Sequence, residues 1–129
     1  TKRWDEPVEG DDGVRILVTR YRPRGLSKAE ETWDEWDRSL APSEALLAAF
    51  RGKNGVGITW SDYTRAFYRE MLSSKERIAE LARRLAGGER ITLLCSSSCT
   101  RERRCHRSLL RALIEKQIHA IDAGRAEQA

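Results

Sequence analysis

The sequence predicts an α/β fold: a small three-layer domain with a short, mostly parallel sheet flanked by helices. Two short segments, residues 14–20 and 90–95, have the apolar, β-branched composition of central strands. Helical periodicity fills the long stretch between them, and another helical pattern follows the second segment. This order of elements is typical of parallel sheets. Because two strands are few for such a sheet, we expect a further strand that is irregular or lies before Thr1.

The length and composition fit one domain over residues 1–129. With 40% hydrophobic and 34% charged residues, the chain is typical of globular proteins rather than of disordered or membrane proteins. No segment approaches the ~18 apolar residues of a membrane span, and no secretion signal opens the chain. The odd number of cysteines, three, argues for a reducing compartment. We therefore predict a cytoplasmic protein with no membrane partner.

The first predicted strand lies between two loops. Polar residues 5–13 precede it, and residues 2–4 fit the tail of an edge strand. Pro23 and Gly25 end it, because proline lacks a donor and glycine permits a turn. We expect the chain to leave the sheet there.

Capping patterns predict the helices that follow. Ser27 with Glu30 and Ser73 with Glu76 match the capping box. Ser43 precedes a helix near residues 44–51, and the last helix covers about residues 102–123. The inward faces of the helices after Ser27, Thr59 and Ser73 are, in that order, Trp33, Trp36 and Leu40; Tyr63, Phe67 and Met71; and Ile78, Leu81, Ala82 and Leu85.

Several of these segments resemble one protein family. Residues 14–28 read VRILVTRYRPRGLSK, Trp36 and residues 40–43 give W…LAPS, and residues 68–72 read YREML. Cys95 with residues 105–107 gives C…CHR. Together they resemble the YeaO-like bacterial and archaeal proteins of the DUF488 superfamily, over about residues 2–118. The resemblance implies a compact three-layer α/β fold and no established reaction.

Positive charge is concentrated after the first loop. Residues 1–13 carry two basic and five acidic side chains, a net charge of −3. Because the whole chain has a net charge of +4, the remaining residues carry +7. Of the 24 basic residues, 19 are arginine. Arginine binds phosphate or carboxylate with two parallel donors, which lysine cannot do. The excess indicates either an arginine-rich composition or an anionic ligand.

In open parallel sheets, ligands bind beyond the carboxyl ends of the strands. Both predicted strands end in polar or charged residues, and a helix N-terminus, which attracts anions, follows the second. We predict an anion-binding pocket there; the alternative is a solvated face of paired charges. The candidate anion ligands are Arg20, Arg22, Arg24, Arg101 and Arg107, the other lining residues Tyr21, Ser96 and, on the resemblance alone, Tyr68, and the catalytic residues Cys95 and His106.

Cys95 and Arg101 are separated by five residues between a strand and a helix. This arrangement resembles the phosphate loop of protein tyrosine phosphatases, in which the same field that binds phosphate favours the thiolate. The loop lacks the glycines that such loops need. His106 lies at the edge of the buried helix stripe, so it is either a general acid or base or a structural histidine bonded to a carbonyl.

A zinc site is a further alternative. Cys95, Cys99, Cys105 and His106 are ligand types, but their spacing differs from the paired C-x₂-C of most zinc sites. Adjacent residues on a helix also point about 100° apart, which argues against joint ligation by Cys105 and His106. We therefore predict no metal and no cofactor.

Three functions fit these features. The first is a small enzyme acting on a phosphorylated or nucleotide-like substrate, with Cys95 as nucleophile or redox group and His106 as acid or base. The second is a nucleic-acid-binding module, whose binding would be weak and salt-sensitive. The third is an interaction domain with a vestigial pocket. The helix face that supports nucleic-acid binding consists of Arg104, Arg107 and Arg111.

Overall fold

The computed structural model describes residues 1–52, 57–96 and 104–128, with side chains up to Arg125 in the last range. These ranges contain four β-strands and four α-helices. The strands are β1 (Lys2–Arg3), β2 (Val14–Leu17), β3 (Glu35–Trp36) and β4 (Ile91–Cys95), and the helices are α1 (Glu44–Arg51), α2 (Trp60–Met71), α3 (Lys75–Ala86) and α4 (His106–Gln128).

The strands form one parallel sheet in the order β1-β4-β2-β3. In the central pair, Leu17 lies beside Leu94. On the two edges, Arg3 pairs with Cys95 and Leu17 pairs with Trp36. The α/β fold with a parallel sheet and the edge strand near the N-terminus are thus confirmed. Because all strands run the same way, their carboxyl ends meet at one edge.

The helices cover one face of the sheet. Ile16, Val18 and Leu93 are buried and belong to the same apolar cluster as the helices' inward side chains. These side chains alternate with residues that point to the opposite face. The predicted inward faces of α2 and α3 are confirmed, since Tyr63, Phe67, Met71, Ile78, Leu81 and Ala82 are all buried and Leu85 packs against the cluster.

The opposite face is covered by the N-terminal segment, which Arg15 and Asp12 hold in place. The Arg15 side chain is only 2% exposed and its NH1 lies 2.5 Å from Asp12 Oδ2. Arg15 also donates to the main-chain oxygens of Glu6 and Thr32. Lys2, 2.8 Å from Asp12 Oδ1, and the Glu9 N–H hold the pKa of Asp12 at about 2, with Arg15 adding to this effect.

The helix predicted after Ser27 is wrong. Ser27 N–H and Oγ both donate to Glu30, but they close only a 3₁₀ turn. The chain then becomes extended and adds β3 to the sheet, because β2 would otherwise expose unpaired backbone groups along its edge. Trp33 and Trp36, predicted to be buried on a helix face, are half-buried.

The helix near residues 44–51 is confirmed, and its start is fixed by two side chains. Ser43 Oγ accepts from the Leu46 N–H. Glu70 of α2 in turn accepts from both the N–H and the hydroxyl of Ser43, at 2.8 and 2.5 Å. The second predicted capping box is wrong, because the Ser73 and Ser74 hydroxyls donate to the Glu70 and Ser39 oxygens instead.

Other boundaries shift by a few residues. Strand β2 stops at Leu17 rather than at residue 20, because the chain there turns into the loop that contains Pro23 and Gly25. Helix α4 extends to Gln128, beyond the predicted end near residue 123. In the part of the chain that the structure describes, no helix has the length and apolar character that a bilayer crossing requires.

Candidate anion-binding cleft and thiol–histidine cluster

A cleft of about 1430 Å³ lies at the carboxyl edge of the sheet. Each strand delivers residues to it: Trp4 follows β1, Thr19 follows β2, Trp36 ends β3, and Cys95 ends β4. The position agrees with the site predicted from the strand order. The remaining lining residues are Arg20, Tyr21, Arg22, Pro23, Arg24, Arg38, Pro42, Leu47, Phe50, Arg51, Tyr63, Ser96, Arg104, Cys105 and His106.

Two cysteines and a histidine form a compact cluster in the cleft wall. Cys95, Cys105 and His106 are 3%, 2% and 7% exposed. The sulfur atoms are 3.1 Å apart, too far for a disulfide, and each lies 3.9 Å from His106 Nδ1. We define this group as the thiol–histidine cluster.

The orientation of the His106 ring follows from its bond to the sheet. Nε2 lies 2.6 Å from the main-chain oxygen of Val18, which can only accept, so Nε2 carries the proton. In the neutral ring Nδ1 therefore has a lone pair, on the side of the two sulfur atoms. Phe67 packs against the ring at a centroid distance of 5.7 Å. His106 therefore has the carbonyl partner expected of a structural histidine, and it also lines the cleft.

Cys105 joins the cluster because α4 begins one residue later, at His106. The Cys105 main-chain oxygen accepts from the N–H and the hydroxyl of Ser108, which close the first turn. Cys105 and His106 therefore do not diverge as predicted for two neighbours on a helix, since Cys105 precedes the helix and its sulfur lies 3.9 Å from His106 Nδ1. Cys99, the other cysteine considered as a zinc ligand, lies outside the described residues.

Two of the predicted anion ligands already have partners within the protein. Arg20 donates through Nε to the Pro42 oxygen at 3.0 Å and through NH2 to the Ala41 oxygen. Arg22 lies 3.0 Å from Glu31 Oε2 and donates to the Leu26 oxygen. These bonds shape the loop after β2 and leave each guanidinium only partly available for a ligand.

Four other arginines of the cleft are exposed: Arg24, Arg38, Arg51 and Arg104. None of them forms an ion pair with a residue that the structure describes. The described lining contains six arginines and not a single aspartate or glutamate. The cleft therefore has a strong excess of positive charge.

The other predicted site residues divide into two groups. Tyr21 and Ser96 line the cleft. Tyr68 does not: it is exposed and lies on α2 five residues after Tyr63, which places it on a different face of the helix. Arg107 does not line the cleft either; it is 5% exposed, and within the described ranges its Nε and NH1 have no hydrogen-bond partner. Arg101 lies outside the described residues.

Arg38, Arg51 and Tyr63 also line the cleft, although they were not predicted to do so. Arg38 enters the cleft because β3, which the sequence did not reveal, ends just before it. Arg51 ends α1, and its contribution depends on how that helix packs. For Tyr63 the sequence pattern did give an indication, because it begins the apolar face of α2. In the structure its ring stacks on Trp60 at a centroid distance of 5.2 Å.

The family model described as "Active DUF488-N3 subclade" matches residues 1–118. The chain belongs to the DUF488 family. It is 35% identical to the uncharacterized protein YeaO of Escherichia coli (strain K12) over 99 residues, which cover 77% of this chain and 83% of YeaO.

Two mycobacterial relatives are more distant. The chain is 31% identical over 87 residues to the uncharacterized proteins Mb3100c of Mycobacterium bovis and Rv3073c of Mycobacterium tuberculosis (strain H37Rv). In both cases the match covers 67% of this chain and 70% of the relative. No solved structure matches the chain.

Proposed function

We propose that this domain is a small enzyme that binds a phosphorylated, nucleotide-like substrate in the cleft. One observation carries the proposal: the described lining has six arginines and lacks any carboxylate. Such a cleft concentrates anions. Arginine donors suit phosphate oxygens, which they bind in pairs.

The exposed arginines are the proposed phosphate ligands. Arg24, Arg38 and Arg104 can turn toward a bound anion without breaking an ion pair to a described residue. The Arg38 guanidinium lies 4.2 Å from the centre of the Trp36 ring, which limits its freedom and lowers the entropy lost when it binds. Arg20 and Arg22 support the loop that presents Arg24.

Aromatic side chains support a ligand with a planar ring. Four aromatic residues that are not fully buried line the cleft: Trp4, Tyr21, Trp36 and Phe50. Aromatic faces stack on nucleobases, and each stacked base contributes about 1–3 kcal/mol. Arginine and aromatic residues together match a ligand that combines phosphate with a base-like ring.

The thiol–histidine cluster supplies the proposed chemistry. In the predicted reacting pair, Cys95 Sγ lies 3.9 Å from His106 Nδ1 in the cleft wall. His106 Nδ1 is in position to accept a thiol proton, which would leave a thiolate facing the substrate. The word "active" in the description of the matching family supports a catalytic role.

Nucleic-acid binding is the weaker proposal. The helix face assumed for it is interrupted, since Arg107 is buried and Arg111 lies 2.8 Å from Glu115. Any nucleic-acid affinity would then come from the exposed cleft arginines and would fall steeply with salt.

Calorimetric titration with adenosine 5′-monophosphate tests the proposal. We expect saturable binding that adenosine, which lacks the phosphate, does not reproduce. Arg24→Ala and Arg38→Ala should each weaken the affinity about 10- to 100-fold, since a charge-assisted hydrogen bond contributes about 1.5–3 kcal/mol. Arg69→Ala is the matched control, because Arg69 is exposed on α2 and outside the cleft. Absence of binding, or an equal loss in the control, would contradict the proposal.

A further inference from the structure

Cys95 Sγ, Cys105 Sγ and His106 Nδ1 surround a single point in the cleft wall. Their separations of 3.1, 3.9 and 3.9 Å define a triangle whose centre lies about 2.1 Å from each atom. Zinc bonds to nitrogen and sulfur are ~2.0–2.3 Å long. We infer that the thiol–histidine cluster binds one zinc-type divalent ion, a role opposite to the metal-free site predicted from the spacing.

The fit requires only small adjustments. Around a tetrahedral zinc ion the ligand atoms would be about 3.5–3.8 Å apart. The sulfur–sulfur distance of 3.1 Å must therefore increase by about 0.6 Å, and the two sulfur–nitrogen distances of 3.9 Å must shrink slightly. Side-chain rotations of cysteine can supply such shifts. All three residues are buried, so the packing around them restricts how far their side chains can move from this arrangement.

The ligand types select the metal. Two thiolates and one imidazole are the soft and intermediate ligands that favour zinc over magnesium or calcium. Among the residues that the structure describes, the site has three protein ligands. Catalytic zinc sites typically have three protein ligands and a position for water or substrate, whereas structural sites have four protein ligands.

An independent observation is the hydrogen bond that the other ring nitrogen of His106, Nε2, makes. Metal-binding histidines usually donate their second ring N–H to a carbonyl or carboxylate, which fixes the ring and its tautomer. His106 Nε2 makes this bond to the Val18 oxygen at 2.6 Å. The unprotonated Nδ1 is thereby held on the side of Cys95 and Cys105, as ligation requires.

The charges balance when the ion binds. The two thiol protons leave to solvent, and two thiolates neutralise the divalent ion, while His106 stays neutral with its proton on Nε2. A buried site with no net charge avoids the large cost of an uncompensated ion. Binding should therefore release up to two protons per ion, which a pH-stat titration can measure.

The inference that the cluster binds a metal does not depend on the proposed function. A catalytic role for the bound metal does rest on it. An ion at this point borders the arginine-lined cleft, since all three ligands line it. The bound ion would polarise a phosphate oxygen of the substrate or lower the pKa of a bound water. In that case Cys95 is a metal ligand rather than the nucleophile.

The test uses the whole reduced protein, stripped with a chelator and then titrated with Zn²⁺ or Co²⁺. We expect one ion per chain by native mass spectrometry and sulfur-to-cobalt charge-transfer absorption. Cys105→Ser and His106→Gln should each weaken binding on the order of 100-fold or more. His119→Gln is the matched control, because His119 is exposed on the same helix.

A second measurement needs no variant and so does not depend on how variants fold. Buried thiols react only when the protein opens locally, so the labelling uses long incubations. Zn²⁺ should then slow the modification of Cys95 and Cys105 of the wild-type protein by iodoacetamide, as read by peptide mass spectrometry. Measurable labelling at the same rate with and without Zn²⁺ would overturn the metal site. Recovery of a Cys95–Cys105 disulfide from protein that binds no ion would overturn it as well and indicate a redox pair.

The same samples separate the two proposals. Nucleotide titration of the zinc-free protein tests the arginine cleft alone, and zinc titration without nucleotide tests the cluster alone. Zinc binding without nucleotide affinity would overturn the proposed function but leave the metal site standing. The reverse result would overturn the metal site and leave Cys95 as the proposed nucleophile.

Discussion

His106 Nε2 lies 2.6 Å from the main-chain oxygen of Val18, a residue 88 positions earlier in the chain. The bond joins the first residue of α4 to the chain where it leaves β2. It also determines which ring nitrogen faces Cys95 and Cys105. Fold stability and site chemistry therefore depend on the same contact.

His106→Ala should lower the free energy of unfolding by about 2 kcal/mol, because the buried Val18 oxygen loses a donor. Urea denaturation with a chelator present measures this change without any contribution from metal. His119→Ala should change it by less than about 0.5 kcal/mol, as exposed substitutions usually do. Equal effects of the two substitutions would mean that the bond to Val18 contributes nothing.

Asp12 should make stability depend on pH in the acid range. Its pKa is held at about 2, below the ordinary value of 3.8, mainly by Lys2. A depressed carboxyl pKa contributes stability above 3.8, and this contribution is lost as the pH falls from 3.8 to about 2. In thermal melts, wild type should exceed Asp12→Asn in melting temperature at pH 6, with the difference shrinking toward pH 2. Asp11→Asn, on an exposed neighbour, should follow wild type throughout.

Gly13→Ala should be strongly destabilising. Gly13 has φ +65°, which disfavours any other residue, and an added Cβ would lie 2.1 Å from the main-chain oxygen of Arg90. The same oxygen accepts from the Val14 N–H at 2.9 Å, so the clash would disturb the pairing of β2 with β4. We expect a loss of at least about 2 kcal/mol in denaturant titrations. Gly10→Ala, which meets no atom within 4 Å, should be neutral or slightly stabilising.

Ser43 and Glu70 should behave as a coupled pair. Ser43→Ala removes the cap of α1 and a partner of Glu70, so we expect a loss of about 1–2 kcal/mol. Glu70→Gln should cost a similar amount, and the double variant should cost less than the sum. Strict additivity in urea titrations would show that the two side chains act independently.

The sequence predicted best where local pattern and tertiary packing agree. The inward faces of α2 and α3 follow from apolar spacing, and packing then buries those same residues. The position of Cys95 followed from its place at the end of a buried strand. The cleft at that edge follows from the parallel order of the strands.

Prediction failed where a contact distant in sequence overrides local pattern. Around Trp33 and Trp36 the spacing favours a helix, but the Leu17 oxygen accepts from the Asp37 N–H and the segment joins the sheet instead. The Trp36 indole N–H donates to the Thr19 oxygen, so its polar group serves the loop after β2. These partners depend on the unpaired edge of β2, which lies too far away in the chain to appear in the local sequence pattern around Trp33 and Trp36.

The approach of Cys105 to Cys95 could not be predicted for a related reason. It depends on α4 beginning at His106 rather than near residue 102, and helix starts are uncertain by a few residues when no cap marks them. A shift of one turn would have placed Cys105 inside the helix and away from Cys95 and His106.

The floor and rim of the cleft come from different parts of the architecture. Cys95 lies in the sheet and His106 is bonded to it, and both are buried, whereas Arg24, Arg38 and Arg104 extend from a turn and from short 3₁₀ segments at its edge. Substitutions in the turns leave the core packing intact, while those at the floor disturb it. Over evolutionary time the rim can therefore diversify without loss of the fold, while selection for folding alone keeps Cys95 and His106 together beneath it.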